Sequence, residues 1–330
     1  MKAITYTTTS TENIAGISNR THVNNPIGYA YETDTHFVHF YGKNVRWWTI
    51  SNGITVTEQK TGSLENWVRK TFGAQHIKPM LSEPGVVNKC VWRPGLFFQD
   101  DTFKAFNFTA KEMRLSSQSI KLLIERLDEL FVYIEPNQSS FGTYSHKTRE
   151  LLILASTEVE NFWNVYMSLS SVPKQNGRTY TTNDYVKLAQ HLHLKEYKFA
   201  LQAYEGIAPI IPFSNWDSLS PTKSLDWYDS YNKTKHDRNS NFSEATLLNC
   251  IKAVVANLVM FSVMYSPHAL YDQSNTFSSL VNQHFELELI NMDPTKFYLP
   301  LIDTQGHVPT LLAFDSHSRY KPFVANVVGI

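Results

Sequence analysis

Two patterns of apolar residues divide the chain. Up to about residue 110, aromatic and β-branched residues occur in short runs, a composition that favours β-strands. Leu64–Phe72 is predicted to form a short helix. The pattern therefore predicts a β-rich N-terminal region, in which the strand-forming runs are Tyr29–Thr33, Phe37–Tyr41 and Val45–Ile50, with turn-forming sequences at Gly42–Asn44 and Ser51–Ile54.

From residue 116 onward the apolar positions recur with helical spacing. In Ser116–Phe131, the side chains of Ile120, Leu123, Leu127 and Leu130 fall on one face, and serines at the start are suited to capping the helix. Further helices are predicted at Tyr144–Met167, after Thr181, at Leu225–Arg238 and at Ser243–Tyr265, and the alternation in Phe285–Ile290 predicts a late strand.

These patterns predict an α+β fold. A chain of 330 residues is long enough for two domains. We expect a β-rich N-terminal region over residues 1–112, a helical bundle over 113–270 and a short mixed C-terminal extension over 271–330. The longest apolar run, Ala253–Tyr265, is interrupted by Asn257 and Ser262. It is too short to span a bilayer, so we interpret it as a buried core helix and expect no membrane contact.

Composition narrows the functional classes. Lys and Arg together number 30, as do Asp and Glu, so any contact with nucleic acid must come from a local basic patch. Two cysteines, Cys90 and Cys250, are too few for a disulfide framework or a thiolate metal site. The polar N-terminus does not resemble a signal peptide, and we expect a cytoplasmic protein. The chain lacks the sequence motifs of phosphate loops, dinucleotide-binding folds and zinc peptidases, so no cofactor or metal is expected.

The segment Trp227–Arg238 carries the strongest candidate chemistry. If it is helical, Asn232 and His236 are four residues apart and share a face, with Lys235 and Arg238 close by. Cations and amides can bind phosphate oxygens while histidine transfers a proton, so these four residues are the candidate catalytic set. The alternative is a polar helix end, where basic side chains only complement the helix dipole.

A second polar set lies on the predicted helix around His146–Trp163. Arg149 and Glu160 are eleven residues apart, about three helical turns, and therefore lie on one stripe. They could supply a phosphate clamp and a carboxylate that orients His236. They could equally form an internal salt bridge between packed helices.

The N-terminal region offers one further binding candidate. Trp47 and Trp48, next to Arg46, could stack on nucleic-acid bases. Adjacent residues of a strand point to opposite faces, so at least one of these two indoles is expected in the core.

The order of these segments resembles the HEPN superfamily. Glu150–Leu152, then Thr157–Glu160 and Trp163, precede Trp227–Arg238 and a late apolar helix. The chain is especially similar to bacterial proteins whose late helix reads Tyr-Asn-x-x-Lys-His-x-Arg. The resemblance covers residues from about 116 to 268. It implies a four- to five-helix bundle that usually dimerises, and a metal-independent endoribonuclease of toxin–antitoxin, abortive-infection or CRISPR systems.

The family signature places an arginine, often followed by a polar residue, a few positions before a histidine. Asn232 and His236 match the polar residue and the histidine, but Tyr231 occupies the arginine position. Because tyrosine carries no permanent cation, catalysis would require Lys235, Arg238 or Arg149 to substitute, or would be absent.

Three hypotheses follow. The first is a HEPN-type endoribonuclease of antiviral defence, or a toxin, that acts on RNA as a homodimer formed through its helical bundle, together with a partner defence or antitoxin protein. The second is an inactive HEPN-like binding or sensor module for a protein, nucleotide or nucleic acid, a reading favoured by Tyr231 and by the neutral net charge. In the third, Tyr228, Asn232 and His236 form a hydrogen-bonded core network without chemistry.

Overall fold

The computed structural model describes residues 1–9, 14, 16–44, 46–47, 50, 54–174, 178–313 and 319–330. It confirms the predicted α+β class, with an antiparallel sheet near the N-terminus and a largely helical middle. The chain divides into two compact units. The sheet unit comprises Met1–Asn107 and Met292–Asn326, and the helical unit comprises Phe108–Asn291 and Val327–Ile330.

The secondary-structure elements are numbered in chain order. The strands are β1 Ala3–Thr7, β2 Ile27–Glu32, β3 His36–Gly42, β4 Ile54–Gln59, β5 Gln75–Pro79, β6 Val86–Asn88, β7 Tyr197–Leu201, β8 Phe285–Leu289, β9 Leu311–Ala313 and β10 Val324–Asn326. The helices are α1 Asn19–Asn24, α2 Leu64–Phe72, α3 Gln99–Phe106, α4 Ala110–Tyr133, α5 His146–Leu169, α6 Thr182–Tyr185, α7 Leu188–His191, α8 Asp226–His236, α9 Arg238–Asn241, α10 Leu247–Tyr265, α11 Pro267–Tyr271 and α12 Thr276–His284.

The sheet unit is built on a six-stranded antiparallel sheet in the order β5-β1-β2-β3-β4-β9. Alternate residues of β3 enter two separate cores: Phe37 and Tyr41 lie on one face, and Val38 and Phe40 on the other. Helix α2 covers the first face. The second face is covered by the returning segment that contains Phe297–Ile302. Both faces are therefore buried, which explains the near-continuous apolar runs of these strands.

The helical unit surrounds α10, which packs against α4, α5 and α8. Helix α4 begins at Ala110, earlier than predicted, because Thr109 and Glu112 form a capping box. By length and composition α10 could cross a membrane, but 89% of its apolar window is buried by the rest of the protein. The buried amide of Asn257 donates to the Ala155 carbonyl of α5, so the polar interruption of this helix serves packing.

Two sequence-based expectations differ from these coordinates. The predicted strand Val45–Ile50 falls partly outside the described residues, and its described positions Arg46 and Trp47 form a turn. The predicted boundaries at residues 112 and 270 fall elsewhere: the first unit ends at Asn107, and most of the expected C-terminal extension belongs to the sheet unit. Strand β9 explains the difference, because it pairs with β4 and returns the chain to the N-terminal sheet.

Candidate functional site at the end of α8

Helix α8 has a buried face and an exposed C-terminal end. Its apolar and aromatic face, together with two small hydroxyl residues, packs inward, whereas the chain from Lys235 to Arg238 is exposed. The helix ends at His236, and Asp237 caps the short helix α9 by accepting from the Ser240 backbone N–H. The buried residues are Trp227, Tyr228, Ser230, Tyr231 and Thr234.

The imidazole of His236 is accessible. Within the described part of the chain it forms no hydrogen bond and no ion pair, and the same holds for the exposed guanidinium of Arg238 two residues later. The two side chains therefore remain available to a ligand. His236 differs in this respect from the buried histidines of the chain, which are enclosed by the protein.

Tyr231 and Lys235 interact within α8. Tyr231 is fully buried, and the Lys235 ammonium donates a hydrogen bond of 2.6 Å to its phenol while lying 4.9 Å from the ring centroid. The hydrogen bond to Tyr231 raises the pKa of Lys235, with Glu160 adding to the effect. Lys235 therefore stays cationic at neutral pH, whereas Tyr231 is closed to any external ligand.

Arg149 supports the end of α8 from α5. Its Nε and Nη2 atoms donate to the Thr234 carbonyl at 3.2 and 3.0 Å. Because the last carbonyls of a helix lack partners inside the helix, this bidentate contact stabilises the turn that carries His236. The structure thus places Arg149 next to the end of α8, with two of its five N–H donors bound to the Thr234 carbonyl.

Glu160 is placed away from the histidine. Its carboxylate accepts a hydrogen bond of 2.5 Å from the phenol of Tyr228, whose pKa is raised mainly by burial and further by this carboxylate. Tyr228 precedes His236 by eight residues, about 12 Å along the helix axis. The predicted orienting contact between Glu160 and His236 is therefore absent among the described side chains, and the predicted salt bridge of Glu160 with Arg149 is absent as well.

The amide of Asn232 is turned to its own helix. It donates to the Tyr228 carbonyl at 3.0 Å, and the side chain is half-buried one turn before His236. The side-chain oxygen of Asn232 takes no part in this hydrogen bond. His236 takes no part in this contact. The hypothetical core network of Tyr228, Asn232 and His236 therefore lacks a hydrogen bond to the histidine among the described residues.

One candidate residue at this end of the bundle was not predicted from the sequence. His146, the first residue of α5, is exposed, and its ring packs 4.8 Å from that of Phe242, which follows α9. Ser145 caps α5 in front of it. His146 precedes Arg149 by one turn, so a second imidazole lies at the same end of the bundle as His236. The Ser145-x-x-Thr148 capping sequence could have located it.

The tryptophan pair contributes no surface for stacking that the structure describes. Trp47 is only 3% exposed, so its indole faces are not open to a nucleic-acid base. Trp48 lies outside the described residues. No group of three or more His, Cys, Asp or Glu side chains among the described residues could hold a metal ion.

Comparison with protein-family models, with curated proteins and with solved structures gives no match for this chain.

Proposed function

We propose that the protein is a metal-independent endoribonuclease whose acid/base residue is His236. The single observation that supports this function is the exposure of His236 at the end of α8, without a partner among the described residues and with two cations, Lys235 and Arg238, close to it in sequence. RNA cleavage without a metal requires groups that move protons and cations that stabilise the charge on the phosphate. These three side chains supply both kinds of group.

The reaction requires a base for the ribose 2′-hydroxyl and an acid for the departing 5′-oxygen. A single imidazole performs one of these roles at a time. The second imidazole is either His146 of the same protomer or His236 of a second copy, as in the dimers that the HEPN resemblance implies. A homodimer formed through the helical unit, a cytoplasmic location and a role in phage defence or as a toxin with an antitoxin partner belong to the same proposal.

The test is cleavage of a labelled single-stranded RNA in the presence of EDTA. We expect activity in the parent protein, a loss of at least about 100-fold in His236→Ala, and unchanged activity in His191→Ala. His191 is an exposed histidine of α7 and serves as the matched control. If His146→Ala also loses activity, His146 supplies the second imidazole. Parent-like cleavage by His236→Ala, or cleavage that disappears with EDTA, would end the proposal.

A catalytically inactive binding or sensor module is the second candidate. It is favoured by the environment of Tyr231. This residue occupies the position of the family arginine, and it is buried in the core and closed to substrate. In that case no cleavage is detected, whereas binding of RNA, measured by a gel-shift assay, weakens in Arg238→Ala and Lys235→Ala.

A further inference from the structure

A cavity lies at the opposite end of α8 from His236. It lies within the helical unit, is partly open to solvent and has a volume of about 310 Å³, at the lower end of the range for small-molecule sites. Asp226, the first residue of α8, lies at this cavity. The ten-residue step from Asp226 to His236 separates the two ends by about 15 Å along the helix axis. The cavity is therefore distinct from the candidate ribonuclease site.

Two walls of the cavity are apolar. One is the segment Ile207–Pro212, and the other includes Phe141 and Leu248. The first wall is fixed in place because Ile210 exchanges two backbone hydrogen bonds with Phe199 of β7, at 2.7 and 2.9 Å. Prolines within the segment remove backbone donors. This segment is therefore held in place, and it offers apolar contacts to a ligand beside the polar lining residues Gln138, Ser214, Asn215 and Ser224.

The third side carries an ion pair. Lys252 of α10 donates to the carboxylate of Asp226, and the two side chains are 23% and 61% exposed. The other carboxylate oxygen of Asp226 accepts the Trp227 backbone N–H at 2.8 Å, which orients the group. An ammonium has three donors and a carboxylate about four acceptor positions, so both partners keep free capacity while paired.

A charge pair of this kind selects its ligand. An anion is attracted by Lys252 but repelled by Asp226, and a cation meets the reverse. A molecule with an ammonium and a carboxylate side by side is attracted by both. We infer that this cavity binds a free α-amino acid with a large apolar side chain. Its carboxylate contacts Lys252, its ammonium contacts Asp226, and its side chain lies between Ile210 and Leu248.

The inference goes beyond the proposed ribonuclease and does not depend on it. Calorimetric titration of the full chain with L-leucine tests it, with three related probes. Glycine lacks the side chain, N-acetyl-L-leucine lacks the ammonium and L-leucine amide lacks the carboxylate. We expect leucine to bind and each of the three probes to bind at least about tenfold more weakly, because each lacks one of the three contacts.

Substitutions test which residues bind leucine. Asp226→Asn and Lys252→Met are each expected to weaken leucine binding at least about tenfold, and Leu248→Trp should reduce it by filling the cavity. Asp229→Asn is the matched control, because Asp229 pairs with Lys233 on the same helix, outside the cavity. Melting temperatures identify the variants that remain folded. His236→Ala should bind leucine like the parent and lose only cleavage.

Three outcomes overturn the inference. The first is absence of leucine binding to the folded parent at millimolar concentration. The second is equal binding of leucine, its amide and its N-acetyl derivative. The third is parent-like binding by folded Asp226→Asn and Lys252→Met, which would place the ligand elsewhere.

Discussion

The phenol of Tyr228 donates a hydrogen bond of 2.5 Å to the carboxylate of Glu160, and this contact joins α8 to α5. We predict that Tyr228→Phe lowers the free energy of unfolding by about 1–3 kcal/mol, because the half-buried carboxylate loses a donor. Urea denaturation measures the change. In a double-mutant cycle with Glu160→Met, which removes the acceptor, the two losses should not add. Additive losses would show that the contact contributes nothing to stability.

Arg149 offers a second test of how α8 is held. Replacing it with methionine removes both bonds to the Thr234 carbonyl and should cost about 1–2 kcal/mol of stability. Amide hydrogen exchange in the last turn of α8 should speed up more than in the rest of the helix. Arg126→Met is the matched control, since the Arg126–Glu129 pair is exposed on α4. Equal exchange in the two variants would contradict the positioning role.

His39 makes the sheet unit sensitive to acid. Its fully buried ring stacks on Phe72 at 3.7 Å and meets Tyr41 edge-on at 4.4 Å, and neither ring nitrogen has a hydrogen-bond partner among the described residues. Burial lowers the pKa of His39 well below 6.5, and nearby His22 lowers it further. The pKa of His22 is itself lowered by burial.

A histidine whose pKa is lower in the folded state binds fewer protons there than in the unfolded chain. Stability is therefore fully present above pH 6.5 and falls below it, by about 1.4 kcal/mol per pH unit for each such histidine, down to the folded-state pKa. Denaturation of parent and His39→Phe across this range should show a shallower pH dependence in the variant. His191→Phe, at an exposed position, should keep the parent slope. Identical slopes for His39→Phe and the parent would refute this account.

The two thiols should be inert in the folded protein. Cys90 and Cys250 are buried, the Cys250 thiol donates to the Thr148 carbonyl at 3.0 Å, and burial raises the pKa of Cys250. Because the thiolate is the reactive form, Ellman's reagent should label neither cysteine in the native protein and both in urea. Rapid labelling of one native cysteine would show that its surroundings open in solution.

Local elements were predictable where a local signal exists. Helix α2 was predicted at its observed bounds. In the structure, Ser63 caps its start and Gly73, with a φ of 58°, ends it in the left-handed conformation. The exposure of His236 follows similarly from its place at a helix end.

The partners of the polar side chains were not predictable. Arg149 meets Thr234 and Glu160 meets Tyr228 across 85 and 68 residues of sequence, respectively. Helical spacing correctly put Arg149 and Glu160 on one helix, but how α5 packs on α8 decides what each one contacts. No periodicity within a single segment encodes that packing.

The edge position of β9 in the N-terminal sheet has a consequence for synthesis on the ribosome. Residues that complete this sheet leave the exit tunnel only after the whole of α4–α12 has been translated. Until then the outer backbone of β4 presents unpaired N–H and C=O groups, which are a template for strands of neighbouring nascent chains. A stop codon shortly after residue 291 should therefore yield an aggregating product, recovered in inclusion bodies.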